Sequence, residues 1–178
     1  MKNKVLKFWF SELSPSERFL KDSSIDEKIS RIFLNTYYQA TRGELFQWRD
    51  TIRGRLAEII VLDQFSRNIF RDDKRAFEFD SVALVLSQEA AAHPESVSLT
   101  PEEKGFLYMP YMHSESLLIH KEAMKLFSEP GLEDNLEFEV KHKLIIEQFG
   151  RYPHRNILLG RESSIEEVDF LKKPGSSF

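Results

Sequence analysis

The spacing of apolar residues along the chain predicts a protein built of helices. Between residues 25 and 36, apolar side chains recur every three or four positions, as on a helix with one buried face. Residues 52–68 are apolar around nearly the whole circumference, so a central helix is predicted there, enclosed by helices 25–42 and 74–92. No stretch shows the sustained alternation of a half-buried strand. The fold is therefore predicted to be all-α, with helices near residues 3–12, 15–21, 25–42, 52–68, 74–92, 101–108, 110–128, 134–149 and 165–171.

Short polar motifs mark the ends of these helices. In a capping box, a Ser or Thr and a Glu three residues later bond each other's backbone amides at a helix start. Gly43, Gly131 and Gly150 follow apolar stretches, as residues that end a helix in the left-handed conformation do. The predicted capping boxes are Ser14 with Glu17, Ser24 with Glu27, Thr100 with Glu103 and Ser163 with Glu166.

Composition narrows the class of protein. The chain has 178 residues, of which 41% are hydrophobic, with only seven Gly and seven Pro, and this excludes disordered and collagen-like chains. The longest aliphatic run, residues 59–62, is far too short to cross a bilayer. A stretch rich in Pro, Gly and Ser, as in a linker, occurs only at residues 173–177. Residues 1–172 are therefore predicted to form one domain, and residues 173–178 a flexible tail.

Charge and residue types exclude several functions. A formal net charge of -4 gives no electrostatic basis for binding nucleic acid or an anionic membrane. The chain has no Cys, which excludes disulfides and thiolate chemistry and fits a reducing compartment, so a cytoplasmic location is expected. Its five His are scattered along the chain, so neither a bound metal ion nor a cofactor is predicted. The oligomeric state is left open.

Three polar clusters interrupt the apolar helices. In the first, Asp63, Arg67 and Arg71 lie four residues apart on one helix face, with Asn68 beside them. Buried charges need a partner, so these groups either pair with each other or bind something. In the second cluster, residues 108–115, Pro110 is placed near a helix start.

That placement puts His113 on an apolar stripe with Leu117 and His120. A histidine on such a face is more often a core residue than a catalyst. Glu115 is two residues from His113, and these positions diverge around a helix, so the pair is not expected to bind one metal ion.

The third cluster, residues 149–161, is the densest in hydrogen-bond donors. Pro153 stiffens the segment, because it fixes its own backbone and holds the preceding residue extended. Fixed guanidinium groups suit a carboxylate or a phosphate; alternatively, carboxylates of the chain accept their bonds and the loop is a structural clasp. The candidate donors are Arg151, His154, Arg155, Asn156 and Arg161, with His142 on the preceding helix. The candidate internal acceptors are Asp63, Asp80, Glu115 and Glu147.

Four ordered motifs carry a resemblance to a known family. They are LDQFSRNIFR at 62–71, AFEFD at 76–80, FLYMPYMHSE at 106–115, and FGRYPHRN with LGR at 149–161. The chain resembles a bacterial family of uncharacterised proteins classed with tetratricopeptide-like helical folds. The resemblance implies a tetratricopeptide-like array of about seven to nine helices in a soluble bacterial protein, and it implies no activity. Glu58 departs from the family's aliphatic run, so a partly exposed edge is expected there, and His120 stands where Gln is usual.

Two classes of function fit these clusters, and a third interpretation makes them purely structural. The favoured hypothesis is that they bind an anionic small molecule or a peptide carboxylate. The alternative is a hydrolase of a phosphate or carboxylate ester, with a His as general acid or base oriented by Glu115. The structural interpretation is a closed ion-pair core with a role in protein interaction. The predicted ligand-binding residues are Asp63, Arg67, Asn68, Arg71, His142, Arg151, Arg155, Asn156 and Arg161, and the predicted catalytic residues are His113, Glu115 and His154.

Every interpretation requires the clusters to meet in space. Because buried charges need partners, Asp63 or Arg67 is expected within hydrogen-bonding reach of the 151–156 loop or the 113–115 turn. The anion site itself is predicted at the loop from Arg151 to Arg161, together with Arg67.

Overall fold

The computed structural model describes residues 1–176, and every regular element in that part of the chain is helical, which confirms the predicted all-α fold. The α-helices are α1 (Lys2–Lys7), α2 (Ser23–Thr41), α3 (Ile52–Ile60), α4 (Ser66–Ile69), α5 (Asp80–Ala91), α6 (Pro101–Met112), α7 (Leu117–Leu126), α8 (Glu133–Phe149), α9 (Asn156–Leu159) and α10 (Ile165–Leu171). Wider π turns follow α1 and α3, at Phe8–Glu12 and Val61–Phe65. Short 3₁₀ turns lie at Glu17–Phe19, Phe46–Asp50, Lys74–Phe77, Pro94–Ser98 and Pro153–Arg155.

The central helix is confirmed. Helix α3, the π turn after it and α4 follow one another without a break, and Leu56, Ile59 and Ile60 are fully buried. Helix α2 packs along the π turn and α4, while α5 packs against α3, as the apolar circumference predicts. Helices α1 and α6 also contact α3, so the central helix is covered on several sides.

Glu58 does not lie at an exposed edge of the central helix. Its side chain is 1% exposed, and its two carboxylate oxygens accept hydrogen bonds from Arg49 Nε and Nη2, both at 2.7 Å. The expectation of a partly exposed edge is wrong, because a bidentate guanidinium partner allows the carboxylate to be buried.

Two of the predicted capping boxes are confirmed, and the third is wrong. Thr100 and Glu103 bond each other's backbone amides at the start of α6, and Ser14 and Glu17 do the same before a 3₁₀ turn. Helix α2 instead begins after Asp22, whose carboxylate accepts from the backbone amide of Ser24 at 2.7 Å, so the predicted box of Ser24 with Glu27 is absent. A carboxylate both caps the free amides and is favoured by the helix dipole.

The fourth capping box is shifted by one residue. Ser164 and Glu167, rather than Ser163 and Glu166, bond each other's amides at the start of α10. The hydroxyl of Ser163 accepts a hydrogen bond from the side chain of Asn156 at 3.0 Å, so it does not cap the helix.

Pro110 lies inside α6, and this overturns a predicted helix boundary. The helix runs on through the proline to Met112, and the chain leaves helical conformation between His113 and Ser116. A proline removes one backbone hydrogen bond, but residues 105–112 are all buried, and tertiary packing overrides that local cost. His113 therefore occupies the C-terminal end of α6 instead of a stripe shared with Leu117.

Helix α5 begins later than predicted, at Asp80. Residues 74–77 form a 3₁₀ turn, Val82 is exposed, and the buried positions are Ala83, Ser87 and Ala90. These small residues let α5 approach α6 closely, and the Ser87 hydroxyl donates a hydrogen bond to the carbonyl of Leu107.

The predicted left-handed glycines are confirmed: Gly43, Gly131 and Gly150 have positive φ angles, and Gly150 ends α8. Residues 177 and 178 of the predicted tail lie outside the described residues, so the domain limits stay a prediction. Within residues 1–176, no helix combines the length and the apolar character needed to span a membrane.

Candidate functional site

A cleft of about 310 Å³ lies where α5, the C-terminal end of α6 and the segment around α9 meet. It brings the second and third sequence clusters to one place. Its polar lining is Asp80, Ser81, His113, Ser114, Glu115 and Arg155. Its apolar lining is Phe77, Leu84, Pro110 and Leu159.

Asp63 of the first cluster lies directly behind this cleft, in the π turn Val61–Phe65. Its side chain is 0% exposed, and its carboxylate accepts hydrogen bonds from His113 Nδ1 at 2.7 Å and from Gln64 Nε2 at 2.5 Å. Arg67 donates to the backbone carbonyl of Asp63 at 2.6 Å. The predicted convergence of the clusters is confirmed by the contact between Asp63 and His113. π turns inside α-helices often occur at functional sites.

The protonation of Asp63 follows from its surroundings. Burial alone would raise the pKa of this carboxyl group, but His113 and Arg67 beside it outweigh that effect and hold the pKa below its ordinary value. Asp63 is therefore ionised at neutral pH and acts only as a hydrogen-bond acceptor.

His113 is held in one tautomer by this carboxylate. Because ionised Asp63 can only accept, Nδ1 of His113 carries the proton and donates it, which leaves a lone pair on Nε2. Burial, together with the positive charge of Arg67, lowers the pKa of His113, so the ring is neutral at neutral pH. The side chain is 14% exposed and lines the cleft.

Arg155, which lines the cleft, leaves most of its hydrogen-bond donors unused. Its side chain is 8% exposed, and its guanidinium lies 4.6 Å from the ring centres of both Phe77 and Tyr152. Nη1 donates one long hydrogen bond, 3.4 Å, to Asp80. Asp80 already accepts two shorter bonds from Arg67, at 3.0 and 2.9 Å. Within the described part of the chain, Nε and Nη2 of Arg155 donate no hydrogen bond, and burial lowers the pKa of Arg155.

The other predicted anion-binding arginines have carboxylate partners in the chain. Each forms a bidentate pair, as the structural-clasp alternative predicts. The pairs are Arg67 with Asp80, Arg71 with Asp26 at 2.5 and 2.6 Å, Arg151 with Glu167 at 2.6 and 2.8 Å, and Arg161 with Glu115 at 2.6 and 2.9 Å. Asn68 donates to Asp26 at 2.8 Å, while Asn156 donates to Ser163 and accepts from Arg161 at 2.9 Å.

Glu115 does not orient His113. Its carboxylate accepts from Arg161 and from the backbone amide of Tyr152, at 2.8 Å for the latter. The hypothesis that Glu115 orients His113 is wrong, because the carboxylate bonded to His113 Nδ1 belongs to Asp63. Asp63 and His113 are fifty residues apart in the sequence, so the spacing of residues could not indicate their contact.

His142 and His154 both pack against the buried Tyr152 ring, with centroid distances of 5.7 and 5.6 Å. His142 Nδ1 donates to the carbonyl of Phe138 at 2.7 Å. Burial lowers the pKa of His142 to about 3, and burial together with Arg155 lowers the pKa of His154 to about 4. Both rings are therefore neutral at neutral pH.

We expect the buried His142 to make stability depend on pH. Its pKa is near 6.5 when unfolded and about 3 when folded, so the unfolded state binds more protons between these values. Stability is therefore lost as pH falls below about 6.5, by up to about 1.4 kcal/mol per pH unit for one histidine. Urea unfolding at pH 7.5 and pH 5.0 should show this loss, and His142→Asn should reduce it. Equal pH dependence in the two proteins would contradict the assignment.

A second depression, about 460 Å³, surrounds Arg151 and is lined by residues of α8 and the start of α10. Because Arg151 and Glu167 pair there, the depression offers no cation without an internal partner. Among residues 1–176, no group of three or more His, Asp or Glu side chains is placed to hold a metal ion.

The predicted site lacks the two aromatic residues that enclose Arg155, whereas Asp80 is among its candidate internal acceptors. Phe77 and Tyr152 enclose the Arg155 guanidinium, and Asp80 joins Arg155 to Arg67. Both aromatic residues lie within the sequence motifs described above. However, no sequence spacing distinguishes an aromatic residue that stacks on a cation from one that packs in the core.

Comparison with known proteins gives a family and a structural relative. The family described as "Bacterial protein of unknown function (DUF924)" matches residues 5–175. The solved "Structure of Protein of Unknown Function ATU0120 from Agrobacterium tumefaciens" is similar, with a TM-score of 0.91 and 30% sequence identity over 96% of this chain and 96% of that chain. Comparison with curated proteins finds no match. Neither description names an activity.

Proposed function

Because the chain belongs to the DUF924 family of bacterial proteins of unknown function, as the resemblance predicts, its activity has to be inferred from its own geometry. We propose that the cleft binds a small molecule that carries a carboxylate or phosphate group, and that Arg155 holds this group. The tetratricopeptide-like arrangement and the cytoplasmic location stay predictions.

One observation supports the proposal above the others, the incomplete bonding of Arg155. A guanidinium cannot lose its charge in a protein, and a charge this deeply buried is costly unless it is paired. Asp80 shares its carboxylate between Arg155 and Arg67, and the bond to Arg155 is the longest of the three at 3.4 Å. An external oxyanion at Nη2 would supply the missing acceptor.

The remaining lining suggests the kind of molecule. Apolar side chains from Phe77, Leu84 and Leu159 face the same space as the polar groups, and the volume of about 310 Å³ suits a small metabolite. A carboxylate and a phosphate each present two oxygens that can accept a bidentate pair of hydrogen bonds from a guanidinium, so the proposal covers both. The closed ion-pair interpretation applies to Arg67, Arg151 and Arg161 rather than to Arg155.

We expect Arg155→Met to abolish stabilisation by anions. Inorganic phosphate or succinate should raise the melting temperature of the unmodified protein, since a ligand that binds only the folded state stabilises it by mass action, by about 2.7 kcal/mol at one hundred times its Kd. Arg155→Met should melt at the same temperature with and without either anion. Its stability without anion should be unchanged or higher, because an apolar side chain replaces a poorly paired charge.

Arg151→Met is the matched control. It removes a guanidinium whose carboxylate partner is internal, so its melting temperature should fall while its response to phosphate or succinate stays intact. Sodium chloride at equal ionic strength separates site binding from screening. Loss of the anion response in Arg151→Met and its retention in Arg155→Met would place the site elsewhere and contradict the proposal.

A further inference from the structure

The cleft holds, beside Arg155, a histidine arranged as a base. Nδ1 of His113 is fixed by the buried carboxylate of Asp63, and within residues 1–176 no hydrogen bond is made by Nε2. Asp63 is itself held by Gln64 and lies next to Arg67, so its carboxylate cannot turn away. A carboxylate in this position orients the imidazole ring and stabilises the imidazolium that forms when Nε2 takes a proton.

We propose that the protein is an esterase in which His113 activates water against a carboxylic ester whose remote anionic group is held by Arg155. This inference rests on the proposed function, because Arg155 must first bind the anion. His113 and Arg155 line one cleft and are linked through Asp63, Arg67 and Asp80 by contacts of 3.5 Å or less.

Water is the nucleophile that this site favours. The chain has no Cys, and neither Ser81 nor Ser114, which line the cleft, forms a hydrogen bond with His113 in the described residues. A serine nucleophile would need that contact for activation. His113 and Arg155 both line the cleft of about 310 Å³ in which the ester and the water molecule would have to bind.

The reaction balances without a further reagent. His113 Nε2 takes a proton from water as the water oxygen forms a bond to the ester carbonyl carbon. The tetrahedral intermediate then collapses and the bond from carbon to the alkoxide oxygen breaks. The alkoxide takes the proton from Nε2, which restores neutral His113 and releases a carboxylic acid and an alcohol.

The test uses mono-4-nitrophenyl succinate, an activated ester with a free carboxylate, and 4-nitrophenyl butyrate, which lacks it. The unmodified protein should hydrolyse the succinate ester with the higher kcat/KM. His113→Gln should lower kcat about 100-fold or more, as expected for loss of a general base. Arg155→Met should raise KM for the succinate ester and remove the advantage in kcat/KM that this ester has over the butyrate ester.

Asp63 is tested as a positioning residue through the pH profile. In the unmodified protein, kcat/KM should rise with pH as His113 loses its proton and then reach a plateau. Asp63→Asn should lower the plateau and move the rising limb to lower pH, because the carboxylate no longer favours the imidazolium. A merely structural role for Asp63 would leave the limb where it was.

Two controls keep the outcome decisive. His93→Gln removes the histidine that caps the 3₁₀ turn Pro94–Ser98 and measures hydrolysis by an imidazole outside the cleft, so its rate should equal that of the unmodified protein. If His113→Gln fails to fold, chemical modification of the unmodified protein with diethyl pyrocarbonate takes the place of that variant. Acylation of His113 should abolish hydrolysis. Bound succinate should slow both the acylation of His113 and the loss of hydrolysis.

Equal rates for the unmodified protein and His113→Gln, or full activity after His113 is acylated, would overturn the esterase. If succinate still raises the melting temperature of the unmodified protein and not of Arg155→Met, binding survives that failure. If succinate affects both proteins alike, the proposed function itself is wrong.

Discussion

Replacing Asp80 by Ala is expected to lower the free energy of unfolding by about 3 kcal/mol, the lower end of the cost of breaking a buried ion pair, because the Asp80 side chain is 18% exposed. Asp80 is the carboxylate that Arg67 and Arg155 share, at 2.9 and 3.4 Å. Its loss leaves the guanidinium of Arg155 without an acceptor in the described chain and Arg67 with Asp63 alone. Urea unfolding followed by circular dichroism measures the change.

The same variant should respond to anions more strongly than the unmodified protein does. Phosphate can occupy the space of the lost carboxylate and bond both guanidinium groups, so it should restore part of the lost stability. Asp169→Ala is the control: Asp169 pairs with Lys172 at the surface, and its loss should change neither stability nor anion response noticeably. An Asp80→Ala protein as stable as Asp169→Ala would refute the shared-carboxylate account.

Glu139→Ala is expected to cost about 2–4 kcal/mol, because it breaks a fully buried hydrogen bond to an ionisable partner. Glu139 and His120 are both 0% exposed and lie 2.6 Å apart. His120 Nε2 bonds the carbonyl of Ser114 at 2.9 Å, in the segment that follows His113. Burial raises the pKa of the Glu139 carboxyl group.

Substitutions on α8 separate this interaction from helix propensity. Glu139→Gln keeps the shape and one hydrogen bond and should be less destabilising than Glu139→Ala. Glu137→Ala, on the exposed face of the same helix, should leave the urea midpoint nearly unchanged. Equal midpoints for Glu137→Ala and Glu139→Ala would mean that the buried pair contributes nothing.

The helices could be predicted because their signals are local. The apolar circumference of residues 52–68 identifies the central helix, and Thr100 with Glu103 identifies the start of α6. Local signals fail where distant contacts decide, as at Glu58, which is buried because Arg49 bonds it. They also fail at Pro110, where buried packing keeps the helix intact.

The candidate site was predictable only as a set of clusters. The need of buried charges for partners predicts that Asp63 or Arg67 reaches the 151–156 loop or the 113–115 turn, and the structure shows Asp63 bonded to His113 of that turn. Which arginine keeps unused donors depends on the three-dimensional assignment of every carboxylate, and here Arg151 is satisfied while Arg155 is not. The π turn that carries Asp63 has no periodicity in the sequence that would indicate it.

The most direct measurement of anion binding at Arg155 is an NMR titration of the arginine Nε–Hε and histidine ring signals with succinate. Saturable shifts are expected for the signals of Arg155 and His113. The Arg151 signal should stay unchanged, because the guanidinium of Arg151 is already paired with Glu167. Shifts confined to Arg151, or no saturable shift at Arg155, would contradict the claim that this cleft is an oxyanion site.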